Sequence, residues 1–340
     1  MSIDLYLYCK KSPSRSAIEE VILPLGFRIE KEMSEKEQPW YFWFEEKNLA
    51  SVRGCWVYWY KCEAGEEAPR GTRTIFVVTT YAGRSHEDLD MQNRVIRQLK
   101  KKFGGSVYDP QEGRYSYLQN DIPKLTYPEK RCGFAYLNTL QLIWRISDIP
   151  QDVFIKTEKS DRFLEEHGLL SLPSEIIQNN VLLPFLVSVL ESFLRDFFIA
   201  FVDGHPDLLE HIYERQGKLE YAMLRDLLKG KASLAEYEAN NYSFQNLESA
   251  NVAFQRYIGV NLFSVWKKRK KFDGKFYVVR EVLQELLSLR HRIIHKAYIK
   301  PSLGKKETMR YIKFVEHALD LLAQHLEKEK NFRIDLEKYL

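Results

Sequence analysis

Histidine and arginine side chains cluster in one short stretch late in the chain. Arg290, His291, Arg292 and His295 lie within six residues of one another. Histidine exchanges a proton near neutral pH, because its unperturbed pKa is about 6.5, and arginine presents a planar fork of donors that suits a phosphate. This combination suits proton transfer beside a bound anion. Cationic residues at the end of a helix also stabilise the helix dipole, so a structural interpretation stands beside the chemical one.

The residues before this cluster set a helical period. Apolar side chains recur at intervals of three and four from about Phe276 onward, which predicts an amphipathic helix with the cluster in its last turns. The apolar positions are Val279, Val282, Leu283, Leu286, Leu287, Leu289, Ile293 and Ile294.

The spacing of the cluster resembles the signature of HEPN-domain ribonucleases. Four residues separate Arg290 from His295, and the polar His291 directly follows the arginine. The resemblance extends to the position of the motif, late in the penultimate helix of an all-helical domain. Leu190–Phe198 also looks like a core helix of several prokaryotic HEPN families.

Two other pairs have compatible spacings. Arg162 and His167 lie before the helical core, and an apolar Phe163 follows the arginine. Arg310 and His317 share one face of the next helix, whose pattern is that of an amphipathic helix that packs on the core. The context therefore favours the pair formed by Arg290 and His295.

The resemblance implies metal-independent RNA cleavage, with no metal and no other cofactor. In that family the ribose 2′-hydroxyl attacks the adjacent phosphate and leaves a 2′,3′-cyclic phosphate. His295 would be the general acid or base, and Arg290 would stabilise the doubly charged transition state. His291 or Arg292 would assist, and the residues do not choose between them; the predicted catalytic set is Arg290, His291 and His295.

Helix geometry adds a constraint to this assignment. Positions five apart on a helix diverge by about 140°, so Arg290 and His295 of one helix point away from a shared centre. HEPN nucleases are generally dimers with composite sites, so the resemblance implies a homodimer. It also implies a toxin or antiviral-defence endonuclease, with an antitoxin or defence-system protein as a further partner.

A basic run precedes the motif helix and forms the predicted RNA-binding surface. The run is flanked by Trp266 and Phe272, so phosphate contacts could combine with base stacking. A lysine-rich loop that only connects two elements is the alternative. The predicted RNA-binding residues are Lys267, Lys268, Arg269, Lys270, Lys271 and Arg292.

Composition indicates a globular protein of the cytoplasm. The length of 340 residues suits two domains. A formal net charge of +4 is too small to indicate nucleic-acid binding by itself. Four cysteines without CxxC spacing indicate neither a zinc site nor a disulfide framework. No signal peptide is apparent, and charges interrupt the longest apolar run (181–202), so no membrane span is expected.

The first 150 residues predict an α+β domain, with a mixed sheet and two helices. Aromatic and β-branched runs at 40–44, 55–60 and 74–81 predict strands, and 85–103 predicts a helix. The aromatic strands either form the core of the sheet or present a platform for bases or a partner. Prolines and charges between 109 and 133 indicate a linker, and 134–146 predicts a last strand or helix of this domain.

Residues 151–340 predict an all-α, HEPN-like bundle. Helices are expected at 175–202, with a kink or restart at Pro184, and at 206–228, 246–258 and 305–328. The leading functional hypothesis is an endoribonuclease regulated through the first domain. The alternative is a non-catalytic, HEPN-like module that dimerises or binds nucleotides or a partner.

Overall fold

The computed structural model describes residues 2–31, 39–63, 66–152, 173–213 and 220–336. It divides into two compact units, the N-terminal one ending at Tyr127 and the C-terminal one spanning Pro128–Leu336. The predicted Arg162/His167 pair lies outside the described residues. The division at Tyr127 precedes the boundary that composition indicates at residue 150, because the helix between the two positions packs with the C-terminal unit.

The N-terminal unit is built on a six-stranded sheet. Its strands are β1 (Ser2–Cys9), β2 (Arg28–Glu30), β3 (Trp40–Trp43), β4 (Cys55–Lys61), β5 (Thr74–Tyr81) and β6 (Ser106–Tyr108). They lie in the order β2-β3-β4-β5-β1-β6, and every described pair is antiparallel. The prediction of a mixed sheet is therefore wrong. Neither helix connects neighbouring strands as a parallel crossover.

Two helices cover one face of this sheet. They are α1 (Arg15–Ile22) and α2 (His86–Phe103), and the sequence predicted both. Ser14 caps α1, while Ser85 and Asp88 form a reciprocal capping box at the start of α2. Their apolar sides pack on alternate strand residues such as Leu7 and Val78, which are fully buried. The α+β class of this unit is confirmed.

The C-terminal unit is mostly helical. Its longer helices are α3 (Tyr127–Ser147), α4 (Ser174–Gly204), α10 (Val279–Lys296) and α11 (Lys305–Lys330). Shorter ones are α5 (Pro206–Tyr213), α6 (Tyr221–Leu228), α7 (Leu234–Ala239), α8 (Leu247–Ala253) and α9 (Leu262–Val265). A π-helical turn at Phe254–Ile258 extends α8, and Gly259 ends it in the left-handed region.

Helix α4 forms the centre of this unit. Its buried residues lie on most of its circumference, which is the pattern of a helix surrounded by others. It is continuous through Pro184, so the expected kink or restart does not divide it. Pro173 is the N-cap residue, and the Ser174 hydroxyl donates to the Glu175 carboxylate. Helices α10 and α11 pack against α4.

The C-terminal unit is not all helical, contrary to the prediction. Residues 269–278 form a hairpin of β7 (Arg269–Phe272) and β8 (Lys275–Val278). Asp273 and Gly274 both have positive φ, as a two-residue turn matched to strand twist requires. The hairpin leads directly into α10. Within the described residues, no helix is long and apolar enough to cross a membrane.

Candidate active site

The motif lies at the exposed end of a well-anchored helix. The apolar stripe of α10 is buried as predicted, from Val279 to Leu289. At its start, the Arg280 amide donates to the Trp266 carbonyl. At its end, Ala297 adopts a left-handed conformation and its amide donates to the Arg292 carbonyl. Both ends of the helix are therefore held, and the motif residues protrude from its last two turns.

His291 and His295 form a pair on one face of α10. Their ring centroids lie 4.5 Å apart, and the ring planes are inclined by 44°. Positions four apart on a helix are neighbours, so this contact follows directly from the spacing. Both residues are exposed. Two imidazoles accessible to solvent can exchange protons with a bound molecule, which a buried pair could not do.

Arg290 lies on a different side of the helix from His295. It is half-buried, next to the buried Leu289, and its Nε atom is shielded from solvent without a hydrogen-bond partner in the described structure. The divergence expected for positions five apart is therefore present. Within one chain, the structure brings His291 and His295 together and does not bring Arg290 to them.

An open cleft of about 580 Å³ adjoins the histidine pair. His291 and Arg292 line it from α10, and neither Arg290 nor His295 is among its lining residues. The Arg292 guanidinium stacks over the Tyr298 ring at 3.7 Å, which holds the cation at the end of the helix. The other lining residues are Gln245, Asn246, Leu247, Glu248, Gln284, Leu287 and Ser288.

The uncharged polar residues of this cleft were missed from the sequence. Ser288 and Gln284 lie about one and two turns before Arg292 on α10, while Gln245 comes from the segment before α8. Their amide and hydroxyl groups can donate and accept hydrogen bonds, as a nucleobase edge requires. Gln284, Ser288 and Arg292 are spaced four residues apart, so the sequence could have predicted that they share one face of the helix. It could not have predicted the contribution of Gln245, since only tertiary packing brings this residue near α10.

The basic run is a strand from Arg269 onward, and Lys267 and Lys268 lie in the short segment that precedes it. Arg269 and Lys271 are exposed on β7, as are Lys267 and Lys268 before it. Lys270 points the other way, and its ammonium group donates to the Lys313 carbonyl at 3.3 Å. Burial lowers the pKa of Lys270, against the opposing effect of Asp320 and Glu316. Lys270 therefore belongs to the packing of the hairpin on α11, not to the exposed basic surface.

The aromatic residues flanking the run are also part of the core. Trp266 is buried, and its indole nitrogen donates to the Ala318 carbonyl at 3.0 Å. Phe272 packs against the same core. Trp266 therefore cannot stack on a base, because its ring is buried, whereas Phe272 is only partly buried. Phe276 of β8 is instead exposed, 68% of its surface being accessible, and it pairs in register with Lys271.

Arg310, the alternative arginine, is held in a network of ion pairs. Its guanidinium lies 3.0 Å from both carboxylate oxygens of Glu285 and 3.4 Å from Glu307. The Tyr311 hydroxyl also donates to Glu285, at 2.7 Å. Burial works against the charged form of Glu285, but the hydrogen bonds from Tyr311 and Arg310 outweigh it and lower the pKa of the carboxyl. This network ties α10 to α11.

Two buried asparagines fix the segment that follows the motif. The Asn180 side chain accepts from the Lys300 amide at 2.8 Å and donates to the Lys300 carbonyl at 3.1 Å. Asn179 donates to the Leu303 carbonyl at 3.1 Å. Neither asparagine is accessible to solvent. The first turns of α4 thus hold the chain between the motif helix and α11.

Among the described residues, no group of three or more His, Cys, Asp and Glu side chains could hold a metal ion. All four cysteines are free thiols. Comparisons with protein-family models, with curated proteins and with solved structures found no match to this chain.

Proposed function

We propose that this chain is a metal-independent endoribonuclease of the HEPN type, acting in the cytoplasm as a toxin or antiviral effector. One observation carries the proposal: an exposed pair of imidazoles, 4.5 Å apart, adjoins an open cleft that His291 and Arg292 line. General acid–base cleavage of RNA needs a proton acceptor, a proton donor and a cation near the phosphate. These three groups are present on the last turns of one helix.

In the proposed reaction, an imidazole removes the proton of the ribose 2′-hydroxyl as its oxygen attacks the adjacent phosphorus. The bond from phosphorus to the 5′-oxygen breaks, and a protonated imidazole supplies the proton that the leaving oxygen takes up. A guanidinium stabilises the charge on the non-bridging oxygens. His295 and His291 are the acid–base residues, with Arg292 and Arg290 as the candidate cations.

A homodimer is part of the proposal. In-line displacement places the attacking and leaving oxygens on opposite sides of phosphorus. His291 and His295 of one helix contact each other, so both approach a phosphate from the same side. A second copy of the helix would supply the opposite side and could also offer its Arg290. The exposed cations Lys267, Lys268, Arg269 and Lys271 would bind phosphates farther along the strand.

The direct test is cleavage of total cellular RNA by the purified protein with EDTA present. Arg290→Ala, His291→Ala and His295→Ala are compared with wild type, and His325→Ala, on α11, is the matched histidine control. We expect products ending in 2′,3′-cyclic phosphate from wild type and the control. Removal of a general acid or base should slow cleavage about 10²- to 10⁴-fold.

Cleavage that continues unchanged in both histidine variants would refute the assignment. Cleavage that ceases when EDTA is added would refute the metal-free mechanism. Each variant is checked for its fold by circular dichroism and for its oligomeric state by sedimentation, so that a loss of activity reports on chemistry.

A non-catalytic binding module is the second candidate, and the lining of the cleft favours it. Gln245, Gln284 and Ser288 offer hydrogen bonds to a base while Arg292 offers a cation to a phosphate, yet His295 is not among the lining residues. Such a cleft suits binding of a nucleotide without cleavage. Binding of a mononucleotide that Gln284→Ala weakens, in a protein that leaves RNA intact, would support this alternative over the nuclease.

A further inference from the structure

The N-terminal sheet has a second face that the two helices do not cover. On β1 this face carries Tyr6 and Tyr8, which alternate with the helix-facing Leu5 and Leu7. Strand register extends the same face across the sheet. One row across the strands reads Tyr108, Tyr6, Val77, Tyr58, Trp40 and Glu30.

The aromatic rings of this face pack edge to face, as Trp40 and Trp56 do, and face to face. Trp40 stacks on Tyr58 with ring centroids 4.1 Å apart, and Phe42 lies 4.3 Å from Trp56. Tyr58 lies parallel to Tyr60 at 6.5 Å. We call the set Tyr6, Trp40, Phe42, Trp56, Tyr58 and Tyr60 the aromatic face. Each of these six residues is only partly buried, so the rings remain accessible.

Part of this face is buried, since Tyr8, Ile75 and Val77 form a small cluster there, but the six rings around them stay partly accessible. On the opposite face, Leu5, Val57 and Phe76 are fully buried under α1 and α2. Soluble proteins rarely leave a contiguous set of large rings accessible unless the surface binds something. Tyrosine and tryptophan are also the residues most enriched where partners bind, since they offer a large rigid surface and a polar group.

The charged residues of the face are mainly acidic. Asp4 lies on β1, one pleat from Tyr6, and it accepts a hydrogen bond from the Thr79 hydroxyl at 2.7 Å. Burial raises the pKa of Tyr58, and the Asp4 carboxylate raises it further by a smaller amount. Glu66 acts on Tyr60 in the same way and contributes to raising its pKa to about 12. Among the described strand residues of this face, Arg28 on the edge strand β2 is the only cation.

We propose that the aromatic face binds a cationic peptide segment that carries arginine. Guanidinium groups stack on tyrosine and tryptophan rings and pair with carboxylates, so the rings and Asp4 complement them together. A nucleic-acid strand would also stack on the rings, but its phosphates would meet Asp4 and Glu66, against the single cation Arg28 among the described strand residues of this face. This site is in the other unit and does not depend on the nuclease proposal.

Fluorescence anisotropy with the full-length protein tests the proposal. The probes are fluorescein-labelled peptides of alternating glycine and arginine, glycine and lysine, or glycine and glutamate, together with a labelled oligodeoxythymidine. The arginine peptide should bind most tightly, since lysine cannot stack its charge in the same way. Trp40→Leu should weaken binding by about 3- to 30-fold, the effect of losing one cation–π contact. Asp4→Asn should weaken it by about two- to fivefold and reduce its salt dependence.

Trp144→Leu is the matched control, since this partly exposed tryptophan lies on α3 in the C-terminal unit. It should bind the arginine peptide as wild type does. Asp4→Asn nearly preserves the shape of the side chain. Weaker binding by this variant would therefore not be explained by a loss of folding, which Trp40→Leu alone could cause. Equal binding of the glutamate peptide, or displacement of the arginine peptide from this face by the oligonucleotide, would overturn the proposal. So would dissociation of a dimer by Trp40→Leu, because a second copy would then occupy the face.

Discussion

The amide of Asn180 should contribute strongly to the stability of the C-terminal unit. Its side chain is fully buried and pairs with both the amide and the carbonyl of Lys300, at 2.8 and 3.1 Å. Asn180→Leu removes both hydrogen bonds while nearly conserving volume, so it leaves no large cavity. It also leaves two backbone groups of Lys300 without their partner.

The expected cost follows from those two groups. A buried backbone donor or acceptor that loses its partner costs about 1–3 kcal/mol. Lys300 itself is only partly buried, so water can reach it and the lower half of that range applies to each group. We therefore expect the free energy of unfolding to fall by about 2–4 kcal/mol. The third bond of Asn180, to the Ile176 carbonyl within α4, adds little because that carbonyl already lies in the helical ladder.

Urea denaturation followed by far-UV circular dichroism measures this change. Most of the helical signal comes from the C-terminal unit, so the transition reports on it. Asn240→Leu is the control, since Asn240 is exposed and its side chain accepts one bond from Arg195. The control should lose less than about 1 kcal/mol. A loss below about 1 kcal/mol for Asn180→Leu would refute the reasoning that this amide holds the segment after the motif.

Two further substitutions test how each unit is held together. Gly105→Ala would place a Cβ 2.3 Å from the Tyr8 carbonyl oxygen at φ +111°, so urea denaturation followed by tryptophan fluorescence should show a loss above about 2 kcal/mol. Gly104→Ala, where φ is also positive but nothing lies within 4 Å, should lose about 1 kcal/mol, and equal losses would contradict the proposed clash. Glu285→Gln should flatten the acid limb of the stability profile. The folded-state pKa of Glu285 is lowered, so its contribution is present above its unfolded pKa of about 4.3 and disappears as pH falls through the folded value. A variant that loses stability at low pH as steeply as wild type would contradict this role.

Local patterns in the sequence predicted most of the secondary structure. The aromatic and β-branched runs predicted at 40–44, 55–60 and 74–81 contain the strands β3, β4 and β5, and Ser85 caps a helix that ends at Phe103. These elements obey short-range rules, because capping residues and side-chain period act within a few residues of each other. The three-residue strand β2 was missed, since its pairing with β3, and not its own composition, makes it a strand.

The composition of 109–133 misled the domain assignment. Prolines there indicated a linker as far as residue 133, yet α3 begins at Tyr127 and packs into the C-terminal core through residues such as Tyr136 and Ile143. A proline in the first turn of a helix is compatible with the helix, and Pro128 occupies that position. Which core receives the helix depends on contacts with residues far away in the chain.

For the candidate site, the sequence by itself determined the helix and the pairing of its histidines. A spacing of four places His291 beside His295 whatever the rest of the protein does, and a spacing of five turns Arg290 away. Tertiary structure alone decided what surrounds them. It paired Lys270 with α11, buried Trp266, exposed Phe276 and brought Gln245 to the cleft. The physical reason is range: spacing within a helix is set by its backbone, whereas burial and cleft lining depend on packing between segments distant in the chain.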